Sequence, residues 1–271
     1  MRIALGLEYD GRQFCGWQSQ PNGCGVQDAL ERSLAGICGH RVRVAAAGRT
    51  DSGVHASAQI VHFDTVADRP LTAWVRGVNS VVPCGLSVLW AQPVGSDFHA
   101  RFSATGRAYT YLLLNRPSRP GLLHGRVGWY HRWLDQERMR EAAALLVGSH
   151  DFSAFRSAEC QADSPVREMR SIEVARRRDI IVFRLAANAF LQRMVRNIVG
   201  SLIAVGKGKH PPGWIGEVLA GRDRARAAPT FAPDGLYLTA VEYDSSWNLP
   251  ASDGTSPEAV VANLQRFATG V

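Results

Sequence analysis

The chain is almost without lysine. Lys207 and Lys209 are the only two among 31 basic residues, so nearly all the positive charge is arginine. Cysteine is sparse and scattered. The five, at 15, 24, 38, 84 and 160, form no C-x-x-C pair, which argues against a zinc site or a disulfide framework and for reduced thiols. The eight histidines are dispersed as well, and no metal is expected. No uninterrupted apolar run approaches the ~18 residues of a membrane span. Residues Met1 to Glu8 alternate like a strand and lack the apolar block and cleavage site of a signal peptide, so a cytoplasmic protein is expected. A phosphate-binding loop and a dinucleotide fingerprint are both missing, and no cofactor is expected.

What the chain does carry is positive charge. Its formal net charge is +7 over 271 residues and its pI is about 9.5. That balance favours a polyanionic partner. Arginine suits bidentate phosphate contacts, although genome composition also exchanges Lys for Arg without functional meaning. A chain of this length corresponds to roughly two domains. With 46% hydrophobic residues it can bury a core without covalent staples.

The first half reads as strand 2–9, helix 25–38, strand 41–46, strand 58–64, helix 70–80 and strand 86–92. Val26, Ala29, Leu30, Leu34 and Ile37 fall at helical spacing, and Gly39 follows as a stop. The second half repeats the order: strand 105–114, a helix near 136–147 opening after Asp135, strands near 169–176 and 180–187, helices near 189–205 and 213–220, and a last strand, 236–243. Each order is βαββαβ. The expected fold is therefore α+β, two ferredoxin-like halves whose antiparallel sheets form a central cleft. The expected domains are 1–103, 104–245, and a loose tail, 246–271, with a short helix at 257–268. RNA-binding domains share this element order, but neither half carries their aromatic signature on a central strand.

The run Ala47-Gly48-Arg49-Thr50-Asp51-Ser52-Gly53-Val54-His55 lies between Val42-Arg43-Val44 and Ile60-Val61-His62-Phe63, and reads as a loop between strands. Gly, Thr, Asp and Ser are ordinary turn residues. Glycines at 48 and 53 also allow a sharp turn that presents Asp51, and a nearby guanidinium, Arg49, favours its anionic form. An anionic, presented carboxylate is a nucleophile or a base. Elsewhere, Tyr109 and Tyr111 in R-A-Y-T-Y share one strand face. Arg193, Arg196 and Gly200 share a helix face apart from Met194, Val195, Ile198 and Leu202. Taken alone, the tyrosines read as core aromatics and the arginines as a solvated face. His55 reads first as a hydrogen-bonded structural histidine. Arg167, Arg170, Arg176 to Arg178 and the arginines of 222–226 offer RNA-contact surface or plain solvated charge.

G-R-T-D-x-G-V-H resembles the active-site motif of the tRNA pseudouridine synthase A family. Y-x-Y at 109–111, M-V-R-N-I-V-G at 194–200, G-W-Q-x-Q at 16–20, F-H-A-R-F-S at 98–103 and D-F-S-A-F at 151–155 match its other segments. The resemblance covers about residues 1 to 245, and Cys15 and Ser52 stand at variable positions. It implies isomerisation of uridine to pseudouridine at positions 38, 39 and 40 in the anticodon stem-loop of tRNA, by a homodimer without cofactor or metal. It implies Asp51 as the catalytic residue, with Tyr109 against the target base, Arg196 near Asp51 keeping it charged, and Arg49 reaching RNA phosphate. Attack on C1′, addition to uracil C6 and a glycal route all remain open. A noncatalytic RNA-binding protein is the main rival. An aspartate-nucleophile hydrolase ranks below it, since no second acid lies near Asp51.

Overall fold

The computed structural model describes residues 1–250 and 256–259. It is a mixed α+β chain that divides into two compact units, Met1–Thr105 together with the chain from Tyr237 onward, and Gly106–Leu236. Most of the expected tail and of its short helix lies outside the described residues.

The first unit runs β1 (Arg2–Tyr9), α1 (Val26–Cys38), β2 (Ala45–Ala46), β3 (His55–Asp64), a helical segment at 71–79 that is π-helical over Ala73–Gly77, and β4 (Leu86–Val94). β1 lies between β3 and β4, antiparallel to both, and β2 pairs with β3. Strands β1 and β3 are buried along nearly their whole length. On one face Ala4, Ile60, Phe98 and Ala100 pack with Trp90, Tyr243 and Trp247. Gly6 leaves room for Trp90, whose ring would lie 2.2 Å from any Cβ there. Ile3, Leu5 and Leu7, of opposite parity on the same strand, are fully buried too. Helix α1 ends as its sequence foretells. Gly39 adopts φ +73° and its N–H closes on Ala35 O at 2.9 Å, the left-handed cap that glycine accepts most readily.

The second unit runs β5 (Ala104–Asn115, entering from the first unit), β6 (Gly128–Tyr130), α2 (Gln136–Ala144), β7 (Gly148–Asp151), β8 (Val166–Arg177), β9 (Ile180–Ala187), α3 (Met194–Gly206) and α4 (Trp214–Gly221). Its antiparallel pairs give the order β5-β9-β8-β7, with β6 parallel to β5. Asp135 caps α2 by accepting the N–H groups of Glu137 and Arg138 at 3.0 and 3.2 Å. Every residue of α3 except Arg196 is buried. Gly206 lets α3 approach Met139, and Gly200 lets it approach Pro229 O, where a Cβ would lie 2.3 Å away.

Four expectations need correction. The strand expected at 41–46 shrinks to Ala45–Ala46: the chain pairs with β3 only from Ala45, and the preceding Val44 N–H donates instead to the Glu31 carboxylate of α1 at 3.0 Å. The helix expected from 189 starts at Met194, because Arg193 turns left-handed, φ +62°, and breaks the helical path. The sheets are not wholly antiparallel. The last strand, β10 (Leu236–Tyr243), runs parallel to β3 through Tyr237–His55 and Leu238–Ala56, and from Tyr237 it groups with the first unit. A strand returning after a whole intervening unit has no hairpin to force the antiparallel direction. Finally, Cys15 and Cys24 form a disulfide with a Cα–Cα distance of 5.4 Å. The Cys15 N–H donates to Cys24 O at 3.0 Å, so a backbone bond brings together two thiols that sequence spacing left apart.

Candidate active site

The loop between β2 and β3 is held at almost every residue. Val54 N–H donates to Asp51 O at 3.1 Å. Gly53, at φ +79°, supplies the positive φ that the third position of a type II turn requires. Asp51 thus opens a tight turn, half-buried, with Arg49 exposed two residues before it. Thr50 is buried and fixed twice: its Oγ1 lies 2.9 Å from Tyr9 Oη, and its carbonyl accepts the Trp17 N–H at 2.9 Å. Ser52 Oγ donates to Phe14 O at 3.4 Å.

The G-W segment explains how α1 takes part. The first N–H groups of a helix have no partner within it. Here Gly16 O accepts from Val26 N–H at 3.1 Å and Trp17 O from Gln27 N–H at 3.0 Å. The same two residues meet the loop on their other side. Gly16, at φ +94°, lies so close that a Cβ would come within 2.9 Å of Thr50 O. A helix start, a buried tryptophan and the carboxylate loop are therefore one packed assembly.

Gly48 is held by a side chain. Gln59 Nε2 donates to Gly48 O at 2.8 Å, the Gly48 N–H donates to Gln59 Oε1 at 3.3 Å, and Gln59 Nε2 also reaches Tyr9 Oη at 3.4 Å. Gln59 is fully buried. Burial pushes the Tyr9 phenol up to about 12, against the smaller opposing effect of its bonds to Thr50 and Gln59. His55 takes the structural role. It is buried, its Nδ1 accepts the Gly11 N–H at 3.1 Å and lies 3.3 Å from Asp10 Oδ1, and its ring stacks on Tyr237 at 4.5 Å. For Asp10 itself, burial is the largest single influence and opposes ionisation, but the Arg12 guanidinium, the Arg12 N–H and His55 together outweigh it, so its carboxyl stays below the usual range.

Tyr109 and Arg196 belong to the second unit. Tyr109 lies on β5 opposite Leu185, is 9% exposed, and meets Phe190 edge to face at 5.0 Å. Arg196 Nε donates to Phe231 O at 2.9 Å, and the Phe231 N–H returns to Arg196 O at 3.2 Å. Arg196 also acts electrostatically on Tyr111, whose phenol burial raises well above its ordinary value. Next to it, the buried Asn197 donates to Phe155 O at 2.7 Å and accepts from Thr230 Oγ1 at 2.6 Å and Arg224 Nη2 at 3.1 Å. Two arginines read as potential RNA surface are structural instead. Arg224 braces Asn197, the Ala227 and Ala228 carbonyls and the Thr230 hydroxyl, and Arg176 lies 3.9 Å over Trp133 while donating to Asn115 and Leu134. Among the described residues no three His, Cys, Asp or Glu side chains are grouped as metal ligands would be, and no helix is long and apolar enough to cross a membrane.

Tyr9, Gly11, Gln59, Phe190 and Asn197 were not recognised from sequence. A buried Gln within an apolar strand was the available signal for the third of these.

A multiply anchored carboxylate turn on an α+β scaffold fits an enzyme of the RNA-modifying kind. The family model for tRNA pseudouridine synthase matches residues 7–103 and 142–244. The tRNA pseudouridine synthase A of Nitrosomonas eutropha is 55% identical over 267 residues, covering 98% of this chain and 96% of that protein. That of Thiobacillus denitrificans is 59% identical over 259 residues, covering 96% and 100%. A solved archaeal box H/ACA sRNP Nop10–Cbf5 complex aligns at TM-score 0.39 with 11% identity, over 88% of this chain and 48% of that one, and at that level adds nothing to the assignment. The chain belongs to the tRNA pseudouridine synthase family. It is an isomerase that converts uridine to pseudouridine in tRNA.

Proposed function

We propose that the chain isomerises uridines 38, 39 and 40 in the anticodon stem-loop of tRNA, with Asp51 as the nucleophile or base. The reaction breaks the bond from ribose C1′ to uracil N1 and forms one from C1′ to C5. The C5 proton leaves to solvent and N1 gains a proton, so no electron acceptor or donor group is consumed. The observation that supports Asp51 is its place in a turn whose neighbours on both sides, Thr50 and Ser52, are bonded to the protein body. Proximity and orientation lower a barrier only when the reacting group is held in position. A carboxylate so held can attack C1′ as a glycosidase nucleophile does, add to C6, or remove the C2′ proton.

Tyr109, wedged by Phe190, is proposed to stack on the target base, a contact that typically contributes ~1–3 kcal/mol. Arg196 and Arg49 are proposed as substrate-binding cations, with Arg49 reaching phosphate. We read the β4-β1-β3 order with β2 beyond β3, and the β5-β9-β8 order, as two ferredoxin-like halves. The enzyme works in the cytoplasm as a homodimer, which doubles the basic surface and steepens the salt dependence of tRNA binding.

The test uses tRNA tritiated at uridine C5, in which release of tritium reports isomerisation. Asp51→Asn is expected to abolish release while tRNA binding persists. Normal release by that variant would overturn the assignment of Asp51. Substrates with uridine at only one of positions 38, 39 and 40 test the site preference, and release from a uridine elsewhere would overturn it.

A further inference from the structure

Resting on the reading of Asp51 as the catalytic carboxylate, we propose that Gln59, acting with Tyr9, is a positioning residue that sets where the catalytic loop leaves the sheet. The register carries the argument. Ala45 pairs with His62 and Ala46 with Val61, and the Ala47 N–H donates to Ile60 O at 2.8 Å. The next partner in that antiparallel series is Gly48 opposite Gln59. At this rung the main chain of β3 gives way to its side chain: the Gln59 amide takes both the N–H and the C=O of Gly48, as a backbone rung would. The loop can then depart from the sheet while its first residue stays hydrogen-bonded. Gly48 is three residues before Asp51, and the intervening Thr50 is tied through Tyr9 Oη to the same amide.

The choice of glutamine is informative because it sits at a fully buried position. A buried amide is costly unless its donor and acceptor are both used. Here both are used on the catalytic loop and on the tyrosine that bonds Thr50. An apolar residue of similar size would fill the space and leave Gly48 without this partner. The function served is therefore placement of the loop, beyond filling the core.

Gln59→Met and Tyr9→Phe test this on the full-length enzyme, with tritium release for kcat and KM, filter binding for tRNA, and thermal melting for the fold. For both variants kcat is expected to fall about 10- to 100-fold, as displacements near 1 Å do, with KM and tRNA affinity within about twofold of the parent. The double variant is expected to lose less than the product of the two single losses, because one network is cut twice. Unchanged kcat in either folded variant overturns the proposal, as does a rise in KM with kcat intact. Should Gln59→Met fail to fold, Tyr9→Phe, which removes one oxygen, carries the test. Asp51→Asn is measured alongside. If it stays active the underlying reading falls, and if it is inactive while the other two variants are unimpaired, only the positioning role falls.

Discussion

Gly11 offers a sharp test of the idea that the catalytic turn is held by its neighbours. Its conformation is ordinary, so strain in the backbone is not the issue. Space is. A Cβ at position 11 would lie 2.1 Å from Val54 O, 2.5 Å from Val54 C and 2.9 Å from Gly53 C, all backbone atoms of the turn that begins at Asp51. Since real Cβ atoms essentially never approach closer than 3.0 Å, Gly11→Ala must push the two segments apart by about 1 Å, a displacement of the size that costs about 100-fold in rate when it moves a reacting group. The same shift stretches the Gly11 N–H bond to His55 Nδ1, now 3.1 Å. Overpacking of this kind costs about 1–3 kcal/mol of stability, which a protein of this size survives. The expected result is a folded variant with a melting point lowered by several degrees, near-normal tRNA binding and about 100-fold slower tritium release. Gly36→Ala is the control. It lies inside α1 with nothing within 4 Å of its Cβ, and is expected to gain about 0.5–1 kcal/mol without change in rate. If Gly11→Ala folds and reacts at the parental rate, the turn is not fixed by this contact and the packing argument fails.

Two further predictions concern stability. The Cys15–Cys24 bond closes a loop of nine residues, which corresponds to about 2.5 kcal/mol in the chain-entropy model. Reductant is expected to lower the urea midpoint of the oxidised parent and to leave Cys15→Ser, already lower, unmoved; a parent indifferent to reductant would show that the two thiols do not pair in solution. For His62, burial holds the imidazole down at about 4, with Arg2 and His99 pushing the same way and Asp64 opposing them, from an ordinary value of 6.5. Its Nδ1 accepts the Ala100 N–H at 3.1 Å, a bond lost when that nitrogen is protonated. The unfolded chain therefore binds the proton first. This contribution to stability is whole above pH 6.5 and is lost as pH falls toward about 4. Urea midpoints of His62→Gln should fall less steeply than the parent's across that window, and parallel curves would refute the assignment.

The sequence discloses the Asp51 turn because turn chemistry is local. Gly53 must accept a positive φ and Asp51 must sit two residues before it, and both are visible in one short string. What holds the turn is not local. Tyr9, Gly11 and Gln59 arrive from different segments, and in sequence they pass for members of alternating or irregular apolar stretches; Trp17 stands out only through the G-W-Q-x-Q resemblance. Arg193 shows a related blindness. The apolar period continues through 189–193, and nothing in a periodicity argument reports that one residue will turn left-handed and delay the helix. Helix stops such as Gly39 and starts such as Asp135 were legible because each needs one residue type at one position. The cysteine pair was not, because its closeness depends on a backbone hydrogen bond across a loop.

The partners of the turn share a chemical character that bears on catalysis. Gln59 holds Gly48 through an amide, Tyr9 holds Thr50 through a phenol that burial keeps protonated up to about 12, and Trp17 and Phe14 contribute backbone groups. None of these groups changes charge near neutrality. A buried lysine or carboxylate in the same places would anchor the loop as well, but its field would act on Asp51 at close range in a low-dielectric setting. With neutral anchors, the loop is held in place without a charged neighbour doing the holding. Placement of the loop then belongs to the first unit's buried amide, phenol and glycines, and none of them adds a charge of its own beside the loop. The burial follows the same split: Tyr9, Trp17 and Gln59 lie in the protein interior, while Arg49 stays on the exposed side of the loop.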